Sequence, residues 1–189
     1  FDLSQPDLAE LQRMVAESIA VKEHIVTKDP HEHGIRKALN FGHTIGHALE
    51  EFALQQATPS GGAVVSTASK NELTPGGAVV STAPKNRPLL HGYAVAFGLI
   101  GELYMSARKA GFPTERLHQT ARFIRENYAQ TEFTCNDYPT LLNLMRHDKK
   151  NTSGIINFTL LHNIGDIRIN QTATDEEIRE ALDFIRDGY

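Results

Sequence analysis

Hydrophobic residues in the first third of the chain recur at intervals of three and four, which is typical of amphipathic helices. The first such stretch covers residues 7–26 and has good helix-starting residues between positions 4 and 7. Residues 29–34 then interrupt the pattern. A second helix is predicted over residues 36–54, where polar residues alternate with residues suited to a core.

The middle of the chain contains the most apolar stretch, residues 92–110. Hydrophobic residues all round a helix indicate burial, so this segment is predicted to lie at the domain centre and to end at Gly111. The remaining pattern predicts helices over 114–129 and 138–145, a β-hairpin from 155–161 and 167–170, and a last helix that begins with the capping box Thr174 to Glu177. We therefore expect a mainly α, multi-helix protein with a small β-hairpin near the C-terminus.

Two glycines lie inside the second predicted helix. Gly42 and Gly46 each cost about 1 kcal/mol relative to alanine in a helix. One interpretation is that another backbone or a ligand approaches closely there. The other is that the helix simply tolerates them.

A near-perfect tandem repeat separates the second and third helices. Residues 61–71 and 76–86 differ only at Ser69 against Pro84. Adjacent copies of a packed segment would face different surroundings, so recent duplication or deliberate insertion is the better explanation. The segment is compatible with either a hairpin or a loosely ordered loop. We expect one domain, residues 1–189, with residues 57–88 as an excursion.

Composition narrows the function classes. The net charge is −4 with lysine and arginine dispersed, which gives no basic stripe for nucleic acid. No apolar run approaches the roughly twenty residues of a membrane span. A single cysteine, Cys135, excludes an internal disulfide framework and fits a reducing compartment, so we expect a cytoplasmic protein without membrane or nucleic-acid partners.

The candidate chemistry centres on two histidines. His43 and His47 are four residues apart, so on a helix both rings project from one face. Such a pair alone is usually an ordinary surface or core pair. Here, however, the chain adds cations, an amide and a further imidazole: Lys22, Arg36, Asn40 and His91. Their convergence would be costly without a bound metal or anion.

His91 opens the third predicted helix, within Leu-Leu-His-Gly. The positive end of the helix dipole favours a neutral imidazole, which is the form that binds metal. The other histidines have no convergent partners in the pattern and are expected at the surface: His24, His31, His33, His118, His147 and His162.

These residues stand in strings that resemble the C-terminal domain of 3-dehydroquinate synthase. The strings are Lys22, the turn 29–34, Arg36, Leu-Asn-Phe-Gly-His-Thr-Ile-Gly-His-Ala-Leu-Glu at 39–50, Leu-Leu-His-Gly at 89–92 and Asp-Lys-Lys-Asn at 148–151. The resemblance covers nearly all of the chain except residues 57–86.

The resemblance implies an NAD- and metal-dependent lyase of the shikimate pathway. Such enzymes convert a phosphorylated keto sugar acid, 3-deoxy-arabino-heptulosonate 7-phosphate, to 3-dehydroquinate and phosphate. The implied metal is zinc or cobalt, held by His43 and His91. The residues implied to act on or bind the substrate are His47 and Lys22 as catalytic residues, and Arg36, Asn40, Lys149 and Lys150 as binding residues.

Parts of the family pattern are missing from the sequence. In the family, NAD binds an N-terminal domain, and a third metal ligand, a glutamate closely followed by a catalytic lysine, precedes the helical domain. No glycine-rich strand-to-helix turn for a dinucleotide is present here. We therefore expect a separated half of an enzyme, inactive until the N-terminal domain is supplied, with homodimerisation left open. The alternative is an engineered or truncated non-catalytic scaffold that presents the duplicated peptide.

Overall fold

A computed structural model describes residues 7–57, 89–128, 132–148 and 155–188. Its main elements are α1 Leu8–Lys28, α2 His43–Ala57, α3 His91–Met105, α4 Thr114–Asn127, α5 Tyr138–His147, α6 Asp175–Asp187, β1 Asn157–Asn163 and β2 Asp166–Thr172. Short 3-10 turns cover Ile35–Asn40 and Cys135–Asp137, and a π-helical turn covers Ser106–Ala110. The predicted mainly α fold with a C-terminal hairpin is confirmed. The tandem repeat lies outside the described residues.

Helix α3 forms the centre of the core, as its apolar sequence predicts. Phe97 and Ile100 are almost completely buried, and α2, α4, α6 and β1 all pack around the helix. Helix α3 continues into the π-helical turn, and the helical segment ends at Gly111, whose φ of 80° lies in the left-handed region that favours glycine. The buried part of α3 begins at Ala94, and His91, its first residue, lies at the edge of the core.

Helices α2 and α3 run antiparallel with their backbones in contact. A Cβ added at Gly98 would lie 1.9 Å from the carbonyl oxygen of Gly42, and one added at Gly46 would lie 3.0 Å from the Cα of Val95. The expectation that Gly42 and Gly46 mark a close approach by another backbone is confirmed. This contact brings side chains of the two helices together.

The prediction of one continuous helix over 36–54 is wrong. The chain forms a 3-10 turn at Ile35–Asn40 and breaks at Phe41 and Gly42, where Gly42 has a φ of 81°. Helix α2 begins only at His43. Arg36 and Asn40 are thus not on the helix that carries the histidine pair, because the left-handed glycine redirects the chain between them.

The C-terminal elements close the core from the other side. The side chain of Thr174 accepts a hydrogen bond from the N–H of Glu177, and Glu177 caps Thr174 in return, so the predicted capping box is confirmed. Ile178 and Leu182 of α6 are fully buried. Strands β1 and β2 pair antiparallel, as predicted.

Helix α1 differs from the other helices because none of its residues is buried within the described part of the chain. Asp7 caps its N-terminus by accepting a hydrogen bond from the N–H of Ala9. Its contacts with the body lie at its C-terminal end, on the 3-10 turn, where Ile25 and Val26 are half-buried. Among the described helices, none combines the length and hydrophobicity needed to span a bilayer.

Candidate metal centre

Three imidazoles meet where α2 crosses the start of α3. The ring centroids of His43 and His91 are 5.5 Å apart, those of His43 and His47 are 5.4 Å apart, and those of His47 and His91 are 5.6 Å apart. We call these residues the three-histidine cluster. The predicted meeting of His43 and His91 from separate helices is confirmed.

The local sequence explains the arrangement. His43 and His47 are one helical turn apart on α2, so their rings project from the same face. His91 is the first residue of α3, as predicted, and the antiparallel packing of the helices places it beside that face. One ligand-capable atom from each residue lies within 4.8 Å of the other two.

The Nδ1 atom of each imidazole lies at hydrogen-bond distance from an oxygen atom outside the cluster. The Nδ1 of His91 lies 2.8 Å from a carboxylate oxygen of Glu50, and the Nδ1 of His47 lies 2.8 Å from one of Asp148. The Nδ1 of His43 donates to the carbonyl oxygen of Phe41 at 3.2 Å, since a carbonyl can only accept. Metal-binding histidines usually donate their non-ligating N–H to a carboxylate or carbonyl, which fixes the ring and makes Nε2 the ligand.

The donor set fits a divalent metal. Neutral imidazole is a favoured ligand for zinc, and catalytic zinc sites usually have three protein ligands plus an open position. Zinc–nitrogen bonds of about 2.0–2.1 Å place tetrahedral ligand atoms roughly 3.4 Å apart. The ligand atoms of the cluster lie within 4.8 Å of one another, so the rings would move closer together on binding a metal. The His91 side chain is 54 % exposed, so the site is open to small molecules.

The structure brings His47 into the same cluster, as its helical spacing from His43 predicts. From the resemblance we expect His43 and His91 to hold the metal and His47 to act on the substrate. In the structure His47 is as close to each of the other rings as they are to one another. The three histidines could therefore hold a metal together, and the role of His47 as a catalytic residue remains a prediction.

The other predicted site residues lie on elements that do not carry the histidines. Lys22 is exposed on α1, and Arg36 and Asn40 are on the 3-10 turn before α2. The Nη1 of Arg36 donates to the carbonyl oxygen of Pro30 at 2.7 Å, and the Nδ2 of Asn40 donates to Glu32. Their substrate-binding roles remain predictions, and Lys149 and Lys150 lie outside the described ranges.

Asp29 organises the turn that leads to Arg36. Its carboxylate accepts hydrogen bonds from the backbone N–H groups of Gly34 at 2.7 Å, His33 at 3.0 Å and Arg36 at 3.1 Å. These hydrogen bonds, of which the one from Gly34 has the largest effect, hold the pKa of the Asp29 carboxyl below its usual range. Partial desolvation opposes them. The ionised side chain thus fixes where the backbone of Arg36 lies.

Sequence reasoning gives no role to three carboxylates around the cluster. Glu50 and Asp148 pair with His91 and His47, and Glu102 bonds to the backbone at the start of α2. Glu50 is the last residue of the string 39–50 and Asp148 is the first residue of the string 148–151. Their partners, His91 and His47, are distant in sequence. Glu102 offers a clearer signal, since it is a lone acidic residue in an apolar helix.

Comparison with known proteins gives a consistent result. The family pattern described as "3-dehydroquinate synthase C-terminal" matches residues 2–71 and 76–151. The matched stretches include both copies of the tandem repeat, residues 61–71 and 76–86, whereas the resemblance described above leaves residues 57–86 out. This corrects the expected extent of the likeness.

Curated relatives carry the same name. A 3-dehydroquinate synthase from Parabacteroides distasonis is 47 % identical over 189 residues, covering 100 % of this chain and 45 % of the relative. One from Symbiobacterium thermophilum is 30 % identical over 183 residues, covering 95 % and 42 %, and one from Salinibacter ruber is 28 % identical over 184 residues, covering 96 % and 41 %. The chain thus spans less than half the length of these relatives. With more than half of its residues matched by the family pattern, the chain belongs to the 3-dehydroquinate synthase family and corresponds to its C-terminal domain.

Proposed function

We propose that this chain is the metal- and substrate-binding part of a 3-dehydroquinate synthase. The complete enzyme would convert 3-deoxy-arabino-heptulosonate 7-phosphate to 3-dehydroquinate and inorganic phosphate, in the shikimate pathway of the cytoplasm. The observation that carries the proposal is the three-histidine cluster, in which each Nδ1 has a second partner. That arrangement suits a metal site better than a chance pairing of surface histidines.

The roles follow from the chemistry of the side chains. A zinc or cobalt ion held by His43 and His91 would supply Lewis-acid polarisation of a substrate hydroxyl. His47, whose Nδ1 lies 2.8 Å from a carboxylate oxygen of Asp148, would use its Nε2 to move a proton at that hydroxyl. Arg36, with its planar guanidinium, suits two-pronged binding of a carboxylate or phosphate.

The remaining polar residues would neutralise the substrate's charges. Lys22 and one of Lys149 and Lys150 are assigned to these groups by the resemblance, and Asn40 to a substrate hydroxyl. Because hydride transfer belongs to the nicotinamide, NAD and the domain that binds it would have to come from outside this chain. We therefore propose that the 189-residue chain alone has negligible synthase activity.

A chimeric enzyme tests the proposal. The part of the Parabacteroides distasonis relative that precedes the matched region would be joined to this chain, and phosphate release from the heptulosonate phosphate would be measured with NAD and zinc. We expect turnover that a chelator abolishes, and none from this chain alone. His43→Ala in the chimera should reduce turnover by more than the roughly 10–100-fold that follows the loss of an outer-shell partner, because it removes a proposed metal ligand itself.

The control is His118→Ala, which removes an exposed imidazole on α4. Its turnover should match that of the unmodified chimera. A folded, zinc-loaded chimera that releases no phosphate would contradict the proposed reaction. The scaffold alternative rests on the tandem repeat, outside the described residues, and predicts such an inactive chimera.

A further inference from the structure

Glu102 is a charged side chain at the centre of the core. It is 0 % exposed, among the apolar residues of α3. Within the described ranges the only other buried polar residues are Ser106 and Thr159. Burying a carboxylate is strongly unfavourable unless hydrogen bonds replace its hydration, so its partners indicate what it does.

Those partners are backbone groups at the start of another helix. One carboxylate oxygen accepts from the N–H of Gly42 at 2.8 Å, and the other accepts from Thr44 at 3.1 Å, with Ile45 at 3.5 Å. The first N–H groups of a helix have no partners within it and carry its positive dipole end. Gly42 has no side chain to cap them, so α3 provides the cap of α2.

This cap lies directly at the metal-ligand candidates. His43 is flanked in sequence by Gly42 and Thr44, whose N–H groups Glu102 binds. At the other end of the crossing, Glu50 of α2 pairs with His91 of α3. The three-histidine cluster is therefore enclosed between two links, each of which joins a carboxylate on one helix to the other helix.

The glycine contacts explain why a separate link is needed. Glycines let α2 and α3 approach closely, but a glycine has no side chain of its own that could form a directional bond to the other helix. A charge buried against directional N–H donors does fix the helix position, because any shift leaves the carboxylate without its bonds.

We propose that Glu102 is a positioning residue that sets the register of α2 against α3, and thereby the spacing of His43 and His47 from His91. The inference rests on the proposed metal site. Glu102 would act through the place at which it holds the start of α2, by its hydrogen bonds to the N–H groups of Gly42 and Thr44.

The test measures metal geometry separately from stability, on the 189-residue chain. Cobalt(II) is titrated into the wild type and E102Q, and the visible absorption of bound cobalt reports coordination. E102Q keeps the size of the side chain but turns an amide N–H toward backbone donors. We expect the affinity for cobalt to fall at least about tenfold, as when ligands lose their orientation. We also expect the absorption spectrum at saturation to differ from that of the wild type.

The matched control is E177Q. Glu177 also caps a helix N-terminus, that of α6, where it accepts from the N–H of Thr174 at 2.7 Å. Its removal lowers stability without disturbing α2, so cobalt affinity and spectrum should equal those of the wild type. If E102Q is unfolded, all three proteins are compared in trimethylamine oxide, which favours the folded state.

The outcomes separate the two proposals. A folded E102Q with the wild-type affinity and spectrum would overturn the positioning role alone. Failure of the wild type to bind cobalt would overturn the metal site of the proposed function, and this inference with it. A shifted spectrum in E102Q but not in E177Q supports the role, because loss of stability alone leaves the saturated spectrum unchanged.

Discussion

At the residue scale, the hydrogen-bond partner of each Nδ1 atom is as informative about metal binding as the position of the ring. A neutral histidine has one protonated and one unprotonated nitrogen, and the hydrogen bond to Nδ1 determines which nitrogen can bind a metal. For His43 the Phe41 carbonyl requires a proton on Nδ1. For His91 and His47 the carboxylates of Glu50 and Asp148 favour the same tautomer. In all three rings the partner of Nδ1 therefore favours a proton on Nδ1 and an unprotonated Nε2, which is the form that binds a metal.

Glu50→Gln tests whether the hydrogen bond to the His91 Nδ1 atom favours metal binding. The change keeps the shape of the side chain but weakens the acceptor for the His91 Nδ1–H, so the ring is less firmly oriented. We expect metal affinity to fall about tenfold, measured by competition with a chromogenic chelator. Glu51→Gln removes the same charge one residue later, where the side chain bonds only to Gln55 among the described residues, and should leave affinity unchanged. Equal losses of metal affinity in the two variants would show that the affinity depends on net charge and not on the hydrogen bond to His91.

The Asp29 turn makes a prediction about pH. Backbone hydrogen bonds lower the pKa of Asp29 in the folded state, so the unfolded chain binds its proton more tightly. The stabilisation is fully present above the ordinary value of 3.8 and is lost as the pH falls through the lower, folded value. We expect the free energy of unfolding in urea to decrease below pH 4, and Asp29→Asn to flatten that decrease.

A matched variant controls for the change in charge. Glu23, exposed on α1, forms no hydrogen bond or ion pair with any residue in the described ranges. Glu23→Gln should therefore keep the wild-type slope of stability against pH. If Asp29→Asn also keeps that slope, the carboxylate does not stabilise the turn.

At the element scale, the crossing of α2 and α3 is the feature on which the site depends. Gly98→Ala would place a Cβ 1.9 Å from the Gly42 carbonyl oxygen and 2.7 Å from the Gly46 nitrogen. Backbone atoms cannot rotate away, so α2 must shift. We expect a loss of about 3 kcal/mol in the free energy of unfolding, at the upper end for overpacking, and weaker metal binding.

Gly92→Ala is the control on the same helix. A Cβ there meets nothing within 4 Å, so the free energy of unfolding should stay the same or rise by less than about 1 kcal/mol. Urea denaturation followed by circular dichroism measures both. Equal stability of the two variants would mean that the close approach is not required.

The same crossing shows what a sequence can and cannot reveal. Helix α3 is predictable from its continuous apolar sequence, and α6 from its periodicity and its local capping box. The pairing of His43 with His47 follows from helical spacing. The break at Gly42 is not predictable, because Glu102, sixty residues away, supplies the cap that begins α2. The partnership of His47 with Asp148 likewise spans 101 residues and exists only once the chain is folded.

At the scale of the whole molecule, α1 is set apart from the rest. Its apolar residues face outward, with Leu8 75 % and Ile19 60 % exposed, while the other helices share one core. Lys22 lies on the same helix, so a residue assigned to the substrate is carried by the least supported element. Isolated helices are marginal in water without packing of an apolar face, even at twenty residues.

Hydrogen exchange of the 189-residue chain should therefore be uneven. We expect the amides of α1 between Leu8 and Ala20 to exchange fastest among the helices, because opening this helix exposes little additional apolar surface. Those of α3, buried on several sides, should exchange only with global unfolding. Mass spectrometry of peptic fragments measures both, and α6, which packs one face on the core, is the internal comparison. Protection of α1 equal to that of α6 would show that α1 is stabilised by contacts other than those between the described residues, and that Lys22 is held more firmly than its exposure indicates.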